Sequence, residues 1–332
     1  MADAMVPDTI LSMTAHSPTP RLWSQPDGVT AVDTDYLRPG MAAAHIVRAG
    51  SRAAFVDVGT NHAVPLLLAA LGELGIAPAD VDYVFLTHVH LDHAGGAGAL
   101  LAQLPNARAV LHPRGAPHMI DPARLIAGSM EVYGQAQYRR LFGELVPIPA
   151  GRILIAEHGA RMAFGGREFE LLHTPGHAMH HYCLVDAAHA LMFTGDTFGL
   201  SYRELDTDQG AFIVPTTTPT QFDPRQLIDS IDLLMSRHPQ SAYLMHFSRV
   251  TGLPALAERL KQQIREFVRF ATTDVGLEDP APAIRTHMRS LWIGLARDHG
   301  IADPQNAVDT VLSKDLELNT QGLVAWLARL RR

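Results

Sequence analysis

The chain has 332 residues, of which 47% are hydrophobic, and its formal net charge at pH 7 is -7. Single hydrophobic cores stop growing at roughly 250 to 300 residues, so this length predicts one large domain with a smaller appendage. The acidic balance and the lack of a cluster of lysine and arginine argue against a nucleic-acid partner. No apolar run in the sequence approaches the roughly 18 residues of a membrane span, so we expect no membrane partner.

Two further features of the sequence concern the cellular compartment. Residues 1–16 contain no continuous apolar stretch and no basic start, so they lack the pattern of a secretory signal. The single cysteine, Cys183, cannot form a disulfide within the chain and lies between apolar neighbours, as a small core residue would. We therefore expect a cytoplasmic protein.

The first part of the chain predicts a surface segment, two strands and a helix. Residues 17–28 are rich in turn-forming residues and are expected to run over the surface. Strands are predicted at 44–47 and 53–58, and a helix rich in leucine and alanine at 64–74. Asp57, near the end of the second strand, is either an ordinary turn residue or an acceptor that orients a ligand histidine.

Four residues that commonly bind metals follow directly after a predicted strand at 81–86. His88 and His90 are two residues apart in an extended segment, so both side chains can reach one ion from the same side. Asp92 and His93 come after a change of direction and are expected to face a neighbouring position. A lone histidine at a strand end is usually an ordinary polar residue, but four such groups within six residues would compete for partners without a cation. The spacing indicates two metal ions.

The next segment combines regular elements with a predicted insertion. Two consecutive glycines allow a tight turn into a helix at 97–104, and a strand is predicted at 107–111. The region 114–150 is mixed, with predicted helices near 122–130 and 134–142. We interpret it as an insertion close to the metal ligands, whose side chains either line a pocket or pack beneath it.

Three more ligand candidates follow strands in the second half of the chain. His177 comes after a Pro-Gly turn, which ends the preceding strand sharply. Asp196 and His246 likewise follow short apolar strands. Ligands placed just past strand ends can be collected along one edge of a sheet. The predicted strands are 153–156, 160–164, 169–173, 182–185, 191–194 and 242–245, with 182–185 and 191–194 forming an antiparallel pair.

A long loop at 197–222 contains several aromatic residues. Loops of this length inside a compact domain are often functional lids, so Phe198 and Tyr202 are predicted to face a substrate with a hydrophobic part. His181, close to the turn of His177, either orients a ligand or is satisfied in the core or at the surface. An aspartate followed by proline predicts the start of a helix at 223.

Beyond residue 250 the pattern becomes helical. Apolar residues recur at steps of three and four from Leu253 onward, which predicts an amphipathic helix. Further helices are predicted at 281–299, 304–313 and 319–331. We therefore divide the chain into a catalytic domain at 20–250 and a helical C-terminal extension at 251–332. This extension either caps the site or forms the interface of a homodimer.

Taken together, the strand-end ligands give a pattern that resembles the metallo-β-lactamase superfamily. Its members carry His-x-His-x-Asp-His, then a distant histidine, an aspartate and a last histidine, and this order spans roughly residues 30–250 here. The resemblance implies an α/β (α+β) fold, an αββα sandwich with metals at one edge. It also implies which residues bind each ion: His88, His90 and His177 bind the first, Asp92, His93 and His246 bind the second, and Asp196 bridges both.

The resemblance also points to a branch of the superfamily and to a reaction. An aspartate at the bridging position is similar to glyoxalase II and to the quorum-quenching lactonases, although the nearest tyrosine, Tyr202, lies further along the loop than in those lactonases. The resemblance implies hydrolysis of an ester, lactone or thioester of a small-molecule substrate by a hydroxide at two divalent ions. Asp92 would orient or shuttle the proton, and Asp196 would be the second catalytic residue.

The ligand set leaves the metal open. Five imidazoles and two carboxylates suit Zn²⁺, and also iron or manganese. Zinc is the expectation for a hydrolase. The alternative on the same fold is a diiron protein that binds oxygen or carries out redox chemistry, although His90 differs from the glutamate that flavodiiron proteins usually have at this position.

Overall fold

The computed structural model of the protein describes residues 18–217, 221–273 and 278–331. Two β-sheets of seven and six strands stack face to face, and helices cover both outer faces. This is the αββα sandwich predicted from the sequence, and the helical C-terminal region is present as well.

The first sheet is built from the first half of the chain. Its strands lie in the order of the sequence, antiparallel up to the fourth strand and parallel from the fourth to the seventh. Parallel neighbours need a crossover connection, and the helices that cover this sheet belong to those crossovers. The strands are β1 (Leu22–Ser24), β2 (Val29–Asp33), β3 (Ala43–Ala49), β4 (Arg52–Val56), β5 (Val81–Leu86), β6 (Arg108–Leu111) and β7 (Ile153–Ile155).

The second sheet is built mainly from short antiparallel strands. Its order is β13-β12-β11-β10-β9-β8, and only β11 and β12 run parallel, because helix α7 connects them. The pairing of β10 with β11 is antiparallel, as predicted. The elements are β8 (Arg161–Phe164), β9 (Arg167–His173), β10 (Tyr182–Asp186), β11 (Leu191–Gly195), α7 (Pro224–Met235), β12 (Ser241–Leu244) and β13 (Ser248–Thr251).

Aromatic side chains fill the space between the sheets. Phe85 of the first sheet meets Phe169 of the second with ring centroids 5.7 Å apart, and Phe169 lies 5.9 Å from Phe193. Phe193 stacks on Tyr243 at 5.2 Å. All four side chains are buried, and such aromatic pairs stabilise a core beyond the area they bury. This shared core fixes the relative position of the two sheets, and therefore of the strand ends.

Helices form the outer layers. The first sheet is covered by the helices that precede and follow β5, and the second by α7 and the C-terminal helices. The remaining helices are α1 (Val64–Glu73), α2 (Leu91–Ala94), α3 (Ala97–Gln103), α4 (Ala116–Ile120), α5 (Ala123–Tyr133), α6 (Gln135–Phe142), α8 (Leu253–Thr273), α9 (Ala281–Asp298), α10 (Pro304–Asn306) and α11 (Ser313–Leu330).

Some predicted boundaries differ from the structure. The turn-rich segment 17–28 contains β1, and β2 and β13 had no predicted counterpart, since short strands give little periodicity. The last helix begins at Ser313, six residues earlier than predicted. Within the three described ranges, no helix is both long and apolar enough to cross a lipid bilayer. The division at residue 250 stays a prediction, and one hydrophobic cluster continues across it from β11 to α11.

Candidate metal centre

The predicted ligands come together at one end of the sandwich. His88 and His90 follow the end of β5, and α2 carries Asp92 and His93. The other three residues follow strands of the second sheet: His177 after β9, Asp196 after β11 and His246 after β12. The strand ends of both sheets therefore contribute to one cluster.

Three imidazoles form the first group of the cluster. His88 Nε2 lies 2.7 Å from His90 Nδ1, and His177 Nε2 lies 3.2 Å from the same His90 atom. The three nitrogens converge on one point, with all separations below 4.8 Å. This group has the composition predicted for the first metal position.

A carboxylate and two imidazoles form the second group. Asp92, His93 and His246 each offer one ligand atom, and these atoms also lie within 4.8 Å of one another. His246 Nε2 is 3.4 Å from Asp92 Oδ2. The Asp92 side chain is 23% exposed, so this group reaches the surface of the adjoining cavity.

Asp196 lies between the two groups. Its Oδ2 atom is 3.2 Å from His177 Nε2 in the first group. Its Oδ1 atom is 3.2 Å from His93 Nε2 and 3.8 Å from His246 Nε2 in the second. One carboxylate oxygen thus faces each group, which is the arrangement expected of a bridging ligand.

Hydrogen bonds behind the cluster orient two of the imidazoles. Asp57 accepts a hydrogen bond from His93 Nδ1 at 2.9 Å, and also from the backbone N–H and the hydroxyl of Thr87. Since the Thr87 hydroxyl donates to Asp57, its oxygen can accept from His88 Nδ1, which is 3.2 Å away. Asp57 therefore orients His93, which is the contact that one of the two alternatives open from the sequence requires, while the role of His93 as a metal ligand stays a prediction.

Backbone carbonyls orient two more imidazoles. His246 Nδ1 donates to the carbonyl of Met41 at 2.8 Å, and His177 Nδ1 donates to that of Thr216 at 3.2 Å. Carbonyls only accept hydrogen bonds, so each Nδ1 carries a proton, and in the neutral form of each imidazole Nε2 presents its lone pair to the cluster. Histidines that bind metals usually donate their other ring N–H in this way.

The segment that holds His177 is itself attached to the C-terminal region. The backbone N–H of Thr217 donates to Asn319 Oδ1 at 2.8 Å, and its hydroxyl donates to the Asn319 carbonyl at 3.1 Å. Asn319 belongs to α11. The position of Thr216, and with it the orientation of His177, therefore depends on a helix more than a hundred residues further along the chain.

The charges of the cluster favour a cation. Burial and the neighbouring imidazoles lower the pKa of His88 and of His90 well below the usual range, so both are neutral near pH 7. Burial acts to raise the pKa of Asp92, but His93 and His246 outweigh it and lower that pKa to about 2. Burial acts against a charged His246, yet Asp92 and Asp196 raise its pKa to about 8. A metal ion would replace such protons on binding.

The donor set fits two divalent metal ions. Although buried, His93 Nε2 and Asp196 Oδ1 have no hydrogen-bond partner of suitable geometry in the described part of the chain. Buried polar atoms without a partner are costly unless a ligand such as a metal satisfies them. Imidazole nitrogens and carboxylate oxygens together suit zinc, iron or manganese.

The glycine before Asp196 is required by close packing. Gly195 has φ of +45°, a conformation that side chains rarely adopt. A Cβ atom here would lie 2.5 Å from Thr87 Oγ1 and 2.7 Å from His181 Nε2. The backbone next to Asp196 can therefore approach Thr87 and His181 this closely only with glycine at position 195.

His181 is a buried residue that orients the backbone of Asp196. Its Nε2 atom accepts a hydrogen bond from the Asp196 N–H at 3.2 Å. Its Nδ1 atom lies 2.9 Å from the hydroxyl of Thr174. His181 is thus behind the ligands, in line with the first of the two alternatives predicted from the sequence.

A cavity of about 160 Å³ opens over the cluster. Five of the seven ligand candidates form its floor, and mostly apolar side chains form its walls. Most wall residues come from three distant segments: residues 36–41, helices α5 and α6 of the predicted insertion, and the start of α11. The wall residues include Tyr36, Leu37, Leu91, Leu125, Tyr133, Phe142, Asp315 and Leu318.

The two aromatic residues predicted to face the substrate lie elsewhere. Phe198 is fully buried in the hydrophobic cluster beneath the C-terminal helices and does not line the cavity. Tyr202 is also fully buried, and its hydroxyl donates to Asp315 Oδ1 at 3.2 Å, so it supports the wall from behind. The loop contains aromatic residues because it packs under the C-terminal helices. The sequence offers no signal that distinguishes such a buried loop from a lid over the substrate.

The sequence analysis did not identify several other residues that form the candidate metal centre and its cavity. The carbonyls of Met41 and Thr216 carry no signal, because any residue type supplies a carbonyl. Thr87 directly precedes the histidine motif, and that position could have identified it. Asp315 lies in a region that the sequence marks only as helical.

Comparison with known proteins identifies the family. The sequence profile of the metallo-beta-lactamase superfamily matches residues 37–244, and the chain belongs to this superfamily. The metallo-beta-lactamase fold-containing protein ST1585 of Sulfurisphaera tokodaii is 26% identical over 201 residues, which cover 59% of this chain and 71% of ST1585. The crystal structure of ST1585 superposes with a TM-score of 0.63 at 19% identity, covering 90% of this chain and 98% of that one, which shows a shared fold.

Two relatives carry the names of hydrolases. A hydroxyacylglutathione hydrolase of Aeromonas hydrophila is 28% identical over 152 residues, covering 46% of this chain and 44% of that enzyme. The acyl-coenzyme A thioesterase MBLAC2 of Gallus gallus is 29% identical over 168 residues, covering 46% of this chain and 55% of that enzyme. The chain thus spans about half the length of these two relatives. The family and the groups of histidine and aspartate that could hold metal ions together define a metallo-beta-lactamase-fold protein with a candidate metal centre.

Proposed function

We propose that this protein is a dinuclear metallo-hydrolase that cleaves an ester, lactone or thioester bond of a small molecule, with zinc as its metal. The observation that carries the proposal is the position of Asp196, whose two carboxylate oxygens face the two groups of ligands separately. A single metal would leave one of the two groups without a cation.

The residues of the cluster would divide between the two ions. His88, His90 and His177 would hold one ion, the three ligands of the second group would hold the other, and Asp196 would contact both. Bound divalent ions of this kind supply a hydroxide near neutral pH and polarise a carbonyl oxygen.

Asp92 would orient the attacking water and accept its proton. One of its carboxylate oxygens, Oδ2, faces His246 at 3.4 Å. The other, Oδ1, is free to accept a hydrogen bond from a water in the cavity, because the side chain is partly exposed there. Asp92 would therefore orient the water towards a carbonyl carbon above the cluster.

The walls of the cavity support an acyl compound as the substrate. Leu91, Leu125 and Phe142 present apolar surface next to the ligands. Such surface excludes bulk water and accommodates the hydrocarbon part of an ester or thioester. The similarity to a hydroxyacylglutathione hydrolase and to an acyl-coenzyme A thioesterase supports a thioester as the first bond to test.

The experiment that tests the proposal begins with the metal. Protein purified without added metal is analysed for its elements, and its absorption spectrum is recorded on the same sample. We expect about two zinc ions per chain and no visible band, followed by turnover of at least one substrate in a panel of esters, lactones and thioesters.

Two results of this experiment would contradict the proposed function. Iron with visible absorption would favour the diiron alternative and would move the work to oxygen and redox assays. Two zinc ions without turnover of any of the three bond classes would contradict the proposed reaction while leaving the metal assignment intact.

A further inference from the structure

The first turn of α11 carries an aspartate that is buried in the cavity wall. Asp315 is 6% exposed and is one of the residues that line the cavity. Its position on the C-terminal helix places a carboxyl group beside Leu37, Leu200 and Leu318, and the neighbouring Lys314 also lines the cavity.

This carboxyl group is only partly satisfied. Its Oδ1 atom accepts a hydrogen bond from the Tyr202 hydroxyl at 3.2 Å. Its Oδ2 atom is buried and has no hydrogen-bond partner in residues 18–217, 221–273 and 278–331. A buried carboxyl group with an unsatisfied oxygen destabilises the folded protein, and an apolar residue of similar size would be less costly.

The nearby cations do not satisfy Asp315. Arg38 lies over the Tyr202 ring, 4.8 Å from its centroid, and forms its ion pair with Glu204. Within the described ranges, no lysine, arginine or histidine nitrogen forms an ion pair with Asp315. The charges of His246 and Arg38 act on Asp315, but neither side chain forms an ion pair with it, so a molecule that enters the cavity can supply the missing partner.

We propose that Asp315 determines substrate specificity by accepting a hydrogen bond from a hydroxyl or ammonium group of the substrate. The preferred substrates are then acyl esters or thioesters whose apolar acyl group carries such a donor. This inference rests on the hydrolase function proposed above and concerns the same cavity.

A matched set of substrates tests the inference. Thioesters or esters, in the bond class that the protein cleaves, are compared with and without a hydroxyl or amino group at carbon 2, 3 or 4 of the acyl chain. For wild-type protein we expect kcat/KM to be at least about tenfold higher for the best substituted substrate than for its unsubstituted parent, since a hydrogen bond to a charged group gives discrimination of this order.

Two variants separate the carboxyl group from its neighbour. Asp315→Leu combined with Tyr202→Phe removes both members of the buried hydrogen bond and leaves no polar atom unpaired. We expect this variant to lose the preference, to within about twofold, because kcat/KM falls for the substituted substrates in particular. Its melting temperature should equal or exceed that of wild type, whereas a purely structural role of Asp315 predicts a lower one.

The single variant Tyr202→Phe is the matched control. It keeps the Asp315 carboxyl group and should keep the preference for substituted substrates. A wild-type protein without any preference, or a preference that persists in the double variant, would overturn the inference.

Calorimetry with the matching carboxylic acids tests Asp315 without turnover. We expect wild-type protein to bind the best hydroxy or amino acid more tightly than its parent acid, and the double variant to bind both equally. Preferential binding without cleavage of any substrate would contradict the proposed function and support the inference. Cleavage with neither form of preference would contradict the inference alone, and a protein that neither binds nor cleaves would contradict both.

Discussion

The metal-ligand cluster and the cavity wall above it are built in opposite ways. Four of the seven ligand candidates lie within six consecutive residues, and the other three each follow a strand of one sheet. The wall combines residues 36–41, 125–142 and 314–318, which meet only in the folded chain. The cluster is thus tied to the strand ends of the two sheets, whereas the wall depends on helices α5 and α6 and on the C-terminal helices.

This difference separates chemistry from selectivity. Changes to the cluster should alter metal content and activity together. Changes to the wall should alter the choice of substrate while the metal stays bound. Three substitutions test this separation.

The largest effect is expected for Asp196→Asn. The amide keeps the size of the side chain but removes the charge that faces both ligand groups, so activity should fall below detection and metal content should drop. Elemental analysis and turnover are measured on the same preparation. Asp208→Asn, at an exposed position in the loop that follows, is the control and should resemble wild type. Full metal content with full turnover in Asp196→Asn would contradict the bridging role.

An intermediate effect is expected for Asp57→Asn. Here an amide N–H would meet His93 Nδ1, so the imidazole would have to move its proton to the nitrogen that faces the cluster. Loss of such an orienting partner typically lowers metal affinity or activity by roughly 10- to 100-fold. Zinc titration of the metal-free variant measures the affinity, and excess zinc should restore part of the activity. An unchanged zinc affinity would show that Asp57 does not act through His93.

The smallest effect is expected for Tyr133→Ala in the cavity wall. The substitution removes an aromatic side chain that packs against Phe142 with ring centroids 5.4 Å apart. It removes none of the hydrogen bonds that orient the seven candidate ligands. We expect KM for an apolar substrate to rise by up to about tenfold, with metal content unchanged. This rise corresponds to about 1.4 kcal/mol, in the lower part of the range for one side-chain change in an apolar pocket. Val132→Ala, at an exposed neighbouring position, should change neither quantity. A loss of metal in Tyr133→Ala would break the separation between wall and cluster.

The same contrast explains how much the sequence could predict. The fold and the seven clustered residues were accessible because their signals are local: a strand, a turn and a ligand at fixed spacing. Asp57 was ambiguous, since an aspartate before a glycine looks the same whether it ends a turn or accepts from His93. Its role depends on the position of β4 next to β5, which no local pattern encodes.

The wall could not be predicted for a physical reason. Phe198 and Tyr202 have the composition of a lid, but the C-terminal helices cover them and bury them completely. Asp315 gave no signal, because an aspartate near the start of a helix is common and usually solvated. Only the packing of α11 against the cavity distinguishes these cases.

The tie between Thr217 and Asn319 has a consequence for any shortened form of the protein. A chain that stopped at residue 250 would still contain every one of the seven metal-ligand candidates. It would nevertheless lose the amide that anchors Thr217, and the neighbouring carbonyl of Thr216, which holds the His177 ring, would be attached less firmly. A fragment chosen by the motif alone would then keep every candidate ligand residue but lose part of the geometry that positions them. The smallest functional unit therefore extends into α11.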